Sequence, residues 1–68
     1  MDISYKKLWK LLIDRDMKKT QLRTEAQIGA STLAKLGKNE YVALDVLVRI
    51  CKVLHCQIGD IVEIIYDN

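Results

Sequence analysis

The sequence predicts an all-α domain built from five short helices. It contains no proline and three glycines, and its apolar residues fall at helical rather than alternating spacing along most of its length. Half of the 68 residues are hydrophobic and 29% are charged, a balance typical of globular chains rather than disordered ones. The length predicts a single domain over residues 1–68.

The first helix is indicated by four apolar residues with i, i+3, i+4, i+7 spacing: Tyr5, Leu8, Trp9 and Leu12. Ser4 precedes them and is a residue type that accepts the free amide hydrogens of a helix start. We expect this helix to run from about Ser4 to Arg15.

The centre of the chain predicts a helix-turn-helix over residues 18–37. One short segment places Leu22 and Ala26 inward, and the next places Leu33 and Leu36 inward and ends at Gly37. Only three or four residues join the two segments. So short a connection sends the second helix away from the first at a steep angle.

Two more helices are predicted beyond residue 43. The fourth has an apolar stripe that stops near His55: Leu47, Ile50, Cys51 and Leu54. The fifth is indicated by Ile58, Ile61 and Val62, with Ile65 as a possible further member. The tail is open to another reading, because Ile64, Ile65 and Tyr66 are β-prone. We expect a core in which residues from four helices pack together: Trp9, Leu22, Leu33, Leu47 and Leu54.

The outer face of the third helix is the candidate functional surface, because a helix-turn-helix projects that face into the DNA major groove. With the leucines turned inward, the residues placed to read bases are Ala30, Ser31, Ala34 and Lys35. The residues placed to contact phosphates are Lys18, Lys19, Gln21, Thr32 and Lys38.

The charge distribution agrees with a polyanionic partner. Residues 1–38 hold nine Lys or Arg against four Asp or Glu, whereas residues 39–68 hold two against five. A basic half followed by an acidic half is the electrostatic footprint expected of a DNA-binding domain, although small helical domains also show such bias by chance.

Several motifs resemble those of the lambda-repressor-like (Cro/cI, or XRE) helix-turn-helix family, especially its short single-domain bacterial members. They are the S-T-L-A-K-L segment from Ser31 to Leu36, with Leu22 and Ile28 flanking the turn, the L-x-x-I-C-x-x-L helix from Leu47 to Leu54, and the closing C-x-I-x-D-I from Cys56 to Ile61. The resemblance implies a compact five-helix domain that binds operator DNA, usually as a homodimer, and regulates transcription. It implies the same base-reading residues and assigns phosphate contacts to Lys19, Thr32 and Lys38.

Three positions depart from the family pattern. Gln27 occupies a turn position that is commonly glycine, so either Gln27 adopts a positive φ or the turn is shifted. Arg23 occupies a position often held by alanine for close helix packing. His55 replaces the usual glycine at the left-handed stop after the fourth helix, a conformation that histidine tolerates better than most residues.

Other chemistries find little support in the sequence. Cys51, His55 and Cys56 lack a fourth ligand and match no common zinc spacing, and free cysteines on an apolar stripe are ordinary core residues. No catalytic constellation or phosphate-binding glycine loop is present, so we expect neither an enzyme nor a cofactor. No apolar run approaches the ~20 residues that cross a bilayer, and two cysteines suit a reduced, cytoplasmic protein.

The favoured function is a sequence-specific DNA-binding transcriptional regulator, acting as a repressor. The alternative is a protein-interaction module of the same fold, such as an antitoxin-like or anti-repressor partner. No effector-binding domain is expected within this length. A homodimer is predicted through the closing segment, which includes a candidate partner-binding tail at residues 63–68, unless that segment folds back over the core. Its contact candidates are Ile61, Ile64, Ile65 and Tyr66.

Overall fold

Four α-helices, one 3₁₀ helix and a two-stranded sheet make up the fold in a computed structural model that describes residues 2–66. In chain order they are β1 (Ile3–Ser4), α1 (Lys6–Asp14), α2 (Lys19–Ala26), α3 (Ala30–Gly37), α4 (Leu44–Leu54), the 3₁₀ helix (Ile58–Asp60) and β2 (Glu63–Ile64). The strands pair antiparallel, with Ile3 opposite Ile64 and Ser4 opposite Glu63. No helix in the described part of the chain is both long enough and apolar enough to cross a membrane.

The prediction of five α-helices in an all-α domain was wrong at the end of the chain. The fifth predicted helix is a 3₁₀ helix of three residues, and the residues beyond it form β2. Ile64 and Ile65 are β-branched and favour an extended backbone, and the paired β1 supplies the partner that makes extension stable. The described residues are therefore mainly helical, with one small sheet joining the two ends.

The first helix is shorter than predicted at both ends. It begins at Lys6 because Ser4 is paired in β1 with Glu63. The Ser4 hydroxyl still accepts a hydrogen bond from the Lys6 amide at 3.2 Å. Ser4 therefore satisfies a free amide of the helix start, as expected, although Tyr5 is the N-cap residue. Asp14 ends the helix, and Arg15 lies just outside it.

The core is contributed by all four α-helices and closed by the residue after the 3₁₀ helix. Its buried members are Tyr5, Leu8, Leu12, Leu22, Ala26, Ile28, Leu36, Val46, Ile50, Leu54 and Ile61. The predicted core was right for Leu22 and Leu54. Trp9, Leu33 and Leu47 are half-buried and pack against its margin.

Each α-helix ends in the same left-handed turn, and none of these turns uses glycine. The residues with positive φ are Asp16, Gln27, Asn39 and His55, at 52° to 58°. In each turn the following amide reaches back five residues; the Met17 amide, for example, donates to the Leu12 carbonyl at 2.9 Å. This is the Schellman motif, which satisfies the last carbonyls of a helix. The left-handed conformation predicted for His55 is confirmed.

Tyr5 connects the start of α1 to the loop after α3. Its amide donates to Asn39 Oδ1 at 3.0 Å, and its hydroxyl donates to the Glu40 carbonyl at 2.8 Å. Burial raises the pKa of the Tyr5 phenol, so the hydroxyl keeps its proton at neutral pH and remains a donor. The loop that follows α3 is thus fixed to the amino-terminal end of the fold.

Ile61 was wrongly predicted as a dimer contact. Its side chain is fully buried in the core of its own chain, so it has no surface to offer a partner. The exposed apolar residues of this segment are Ile64, Ile65 and Tyr66. Asp67 and Asn68, the last residues of the predicted tail, lie outside the described residues.

The two leucines Leu36 and Leu44 make a matched test of this core. Leu36 is 0% exposed, whereas Leu44 is 64% exposed. Leu36→Ala should lower the free energy of unfolding by about 2 to 5 kcal/mol, because it removes buried methyl groups and leaves a cavity. Leu44→Ala should change it by less than about 0.5 kcal/mol. Urea unfolding followed by circular dichroism measures both, and equal losses would show that the inward face of α3 is misassigned.

Candidate nucleic-acid interface

Helices α2 and α3 are joined by only residues 27–29, and the bend is made at Gln27. Gln27 is left-handed, with φ 57° and ψ 46°. Of the two alternatives expected, a positive φ at Gln27 or a shifted turn, the first is confirmed. The Ile28 amide donates to the Arg23 carbonyl at 3.1 Å, and the Ile28 side chain is buried. The chain therefore turns from α2 into α3 within three residues and still places the apolar side chain of Ile28 in the core.

Arg49 holds this turn from α4, a role that sequence reasoning missed. Its Nη1 donates to the Gln27 carbonyl at 2.8 Å, and its Nη2 forms an ion pair with Asp45 one turn earlier in α4. The Asp45 to Arg49 spacing was visible in the sequence and is typical of a helical ion pair. The contact with the turn was not, because it depends on how α4 packs against α2.

The outer face of α3 is open to solvent. Leu36 is fully buried and Leu33 is half-buried, which orients the helix as predicted. The four predicted base-reading residues are all exposed: Ala30, Ser31, Ala34 and Lys35. They form a surface with small side chains and a single positive charge at Lys35, with no acidic residue inside the helix.

The amino-terminal end of α2 is a second exposed basic feature. Lys18 is the N-cap residue and Lys19 is the first helical residue, and no side chain caps the helix there. Both lysines are exposed, so their charges lie beside free backbone amides. Free amides and the positive end of the helix dipole favour an anion at this position.

The other three predicted phosphate contacts differ in availability. Lys38 is exposed at the end of α3, whereas Thr32 is half-buried. Gln21 is exposed, but its Nε2 donates to Glu25 Oε2 at 2.8 Å, so a phosphate would have to compete with that carboxylate. Between residues 18 and 38 the chain carries five Lys or Arg and one acidic residue, Glu25, which leaves this region strongly positive.

The cysteine region shows no comparable chemistry. Partial burial, together with the neighbouring Cys56, raises the pKa of the Cys51 thiol to about 11. A raised thiol pKa lowers the fraction of reactive thiolate at neutral pH. Within residues 2–66, no three His, Cys, Asp or Glu side chains are grouped to hold a metal ion.

Comparison with known proteins identifies the family of the chain. Residues 7–67 match the family model of the Cro/C1-type helix-turn-helix DNA-binding domain, which is nearly the whole chain. The chain belongs to the Cro/C1-type helix-turn-helix DNA-binding family. The predicted family is therefore confirmed, and α2, the Gln27 turn and α3 are its helix-turn-helix.

A solved structure supports the same assignment. The chain is similar to the crystal structure of the transcriptional regulator VanUg, with 57% sequence identity and a TM-score of 0.93, covering 97% of this chain and 88% of that one. No curated protein sequence matches the chain.

The left-handed turn at Gln27 makes a direct prediction about stability. A residue with a Cβ is strained in this conformation by about 1 to 2 kcal/mol, whereas glycine is not, so part of that strain is recovered on substitution. Gln27→Gly should therefore raise the free energy of unfolding, by about 1 kcal/mol. Arg49 binds the backbone carbonyl, which the substitution retains.

The matched control is Gln21→Gly, which places glycine inside α2 and should lower stability by about 1 kcal/mol. Denaturant unfolding of the two variants beside the parent protein measures both effects. Destabilisation by Gln27→Gly would contradict the turn geometry described above.

Proposed function

We propose that the protein is a transcriptional regulator that reads operator DNA by inserting the outer face of α3 into the major groove. The observation that carries this proposal is the joint exposure of two features on one helix-turn-helix: the small, acid-free face of α3 and the uncapped, lysine-flanked start of α2. The first suits close approach to base edges, and the second suits a phosphate. The similar protein VanUg is described as a transcriptional regulator.

Each exposed residue of α3 has a role that follows from its chemistry. Ala30 and Ala34 let the helix backbone approach the groove, and a methyl group there contacts the methyl of thymine. Ser31 donates or accepts a hydrogen bond. Lys35 reaches guanine O6 and N7 or a nearby phosphate. Because Lys35 is the one side chain of this face that can reach two base atoms, and the face carries no Arg, Asn or Gln, we expect a modest sequence preference.

Phosphate contacts set the register of the domain on the duplex. We assign them to Lys18 and Lys19 at the start of α2 and to Lys38 at the end of α3, because these exposed charges lie at helix ends of the helix-turn-helix, outside the four reading residues. Thr32 and Gln21 are weaker candidates, since one is half-buried and the other is hydrogen-bonded to Glu25.

The proposed mode of regulation is repression. A domain that fills the major groove and holds the flanking phosphates sterically excludes other proteins from the same base pairs. The rival function, a protein-interaction module without DNA binding, is less favoured because no acidic side chain interrupts α3.

The reading face is tested with two lysine variants and duplexes selected from a random pool. Lys35→Ala should lose about 1 to 3 kcal/mol of discrimination at one or two base pairs and retain non-specific binding. Lys38→Ala should weaken binding to all sequences and flatten the slope of log K against log salt by about 0.9.

The matched control is Lys52→Ala. Lys52 is an exposed lysine of α4 that belongs to neither the reading face nor the proposed phosphate contacts. It should leave both the selected motif and the salt slope unchanged. If the motif persists when Ser31 and Lys35 are both replaced by alanine, α3 is not the reading helix.

We further propose that the protein binds DNA as a two-fold homodimer through Ile64, Ile65 and Tyr66. These apolar side chains are 60%, 40% and 80% exposed and are adjacent in the chain. They lie on or beside β2, which pairs with β1 along one edge only. A symmetric pair reads two half-sites about 34 Å apart, which multiplies the specificity of a small reading face.

Light scattering across a concentration series tests the dimer. The parent protein should show twice the 7.8 kDa monomer mass, and Ile65→Asp should reduce it to the monomer because a buried unpaired carboxylate is costly. Ile13→Asp is the matched control, since Ile13 is 77% exposed on α1 and lies outside the proposed contact. A parent protein that stays monomeric at high micromolar concentration, free and on palindromic DNA, would eliminate this dimer.

A further inference from the structure

Trp9, the single tryptophan of the chain, lies beneath one of the proposed phosphate-binding lysines. It is on α1, half-buried, and packs against the margin of the core. The ammonium of Lys19 lies over its ring, with Nζ 4.3 Å from the ring centroid. This distance is well inside the range in which the ring quadrupole attracts a cation.

Lys19 lies where a phosphate contact is proposed. Lys19 is the first residue of α2, beside the uncapped amides of the helix start. Within residues 2–66 the ion pair present joins Arg49 and Asp45, so the described structure pairs Lys19 with an aromatic ring and not with a carboxylate. A ring holds an ammonium without neutralising it, and the charge stays available to an anion.

Restricting a lysine before binding has a thermodynamic consequence. A free lysine side chain loses much rotamer freedom when it is fixed on a phosphate, and that loss opposes binding. A lysine already held over a ring has lost part of that freedom during folding. Its phosphate contact is correspondingly stronger.

We propose that Trp9 is a positioning residue for DNA binding: its ring holds the Lys19 ammonium at the start of α2, ready to contact a backbone phosphate. This role rests on the proposed DNA-binding function and adds a residue from α1 to the interface. Trp9 acts through Lys19 and needs no contact with DNA itself.

A double-mutant cycle on affinity for one duplex tests the coupling. Trp9→Leu keeps an apolar side chain at the core margin and removes the ring. In the parent background it should weaken binding about two- to five-fold, the range expected for an exposed cation–π contact. In a Lys19→Ala background the same change should have almost no effect, because the residue it positions is gone.

Two further variants separate positioning from packing. Trp9→Phe should recover part of the lost affinity, since a smaller ring still attracts the ammonium. Combining Trp9→Leu with Lys38→Ala should give losses that multiply, because Lys38 is at the far end of α3 and is not held by the ring. Circular dichroism melting identifies any variant that fails to fold, and Trp9→Phe then carries the test.

A measurement on the free protein distinguishes this proposal from the function on which it rests. The methylene protons of Lys19 should show upfield nuclear magnetic resonance shifts from the ring current of Trp9, and Trp9→Leu should abolish them. Normal shifts in the parent protein would overturn the contact. Shifted protons with no binding to any duplex would overturn the DNA-binding function and the positioning role with it. DNA binding with equal losses from Trp9→Leu in both backgrounds would overturn the positioning role alone.

Discussion

The left-handed turn at Gln27 is the constraint on which the functional surface depends. It lets the chain leave α2, bury Ile28 and enter α3 within three residues. The hydrogen bond from Arg49 to the Gln27 carbonyl fixes this turn to α4, the helix against which α2 packs. The orientation of α3 is therefore set by the turn and by its own buried Leu36, which leaves the opposite face of α3 free.

The rest of the fold is built around a small apolar core with few polar connections. No polar or charged residue is buried among residues 2–66. The long-range side-chain hydrogen bonds instead lie at the edges, where Tyr5 holds the loop after α3 and Arg15 donates to the Leu54 carbonyl at the end of α4. Such bonds satisfy backbone carbonyls at helix ends and loops, the groups that a small helical domain most easily leaves unpaired.

The sequence predicted well what depends on local spacing and failed where distant residues decide. The third helix was predicted to end at Gly37 and is Ala30–Gly37, because its inward leucines and exposed small residues repeat at the helical period. The left-handed conformation of His55, and that of Gln27 as one of two alternatives, were expected from the family resemblance, in which both positions are usually glycine. By contrast, the β-branched Ile64 and Ile65 alone did not predict a strand, because β2 is stable only beside β1 and a pairing across the whole chain cannot be predicted from local spacing.

In the candidate site, too, local spacing predicted some features, whereas contacts between distant residues were not predicted. The candidate base-reading residues were predicted from helical spacing, and all of them are exposed. The contacts of Arg49 with the Gln27 carbonyl and of Trp9 with Lys19 were not predicted, since they join residues 22 and 10 positions apart in the chain. Gln21 was chosen for its position, but its partner Glu25 was not considered. Position within a helix predicts which residues face outward; their partners depend on side-chain geometry.

In the proposed complex, DNA contacts the helix-turn-helix through α3 and the start of α2. Backbone amide nuclear magnetic resonance spectra recorded during titration with a selected duplex measure this most directly, because every helix reports separately. We expect the largest shifts at residues 18–21 and 30–38, with α4 beyond Arg49 nearly unchanged. Shifts concentrated on the carboxyl-terminal half of α4 and the 3₁₀ helix, with α3 silent, would contradict it.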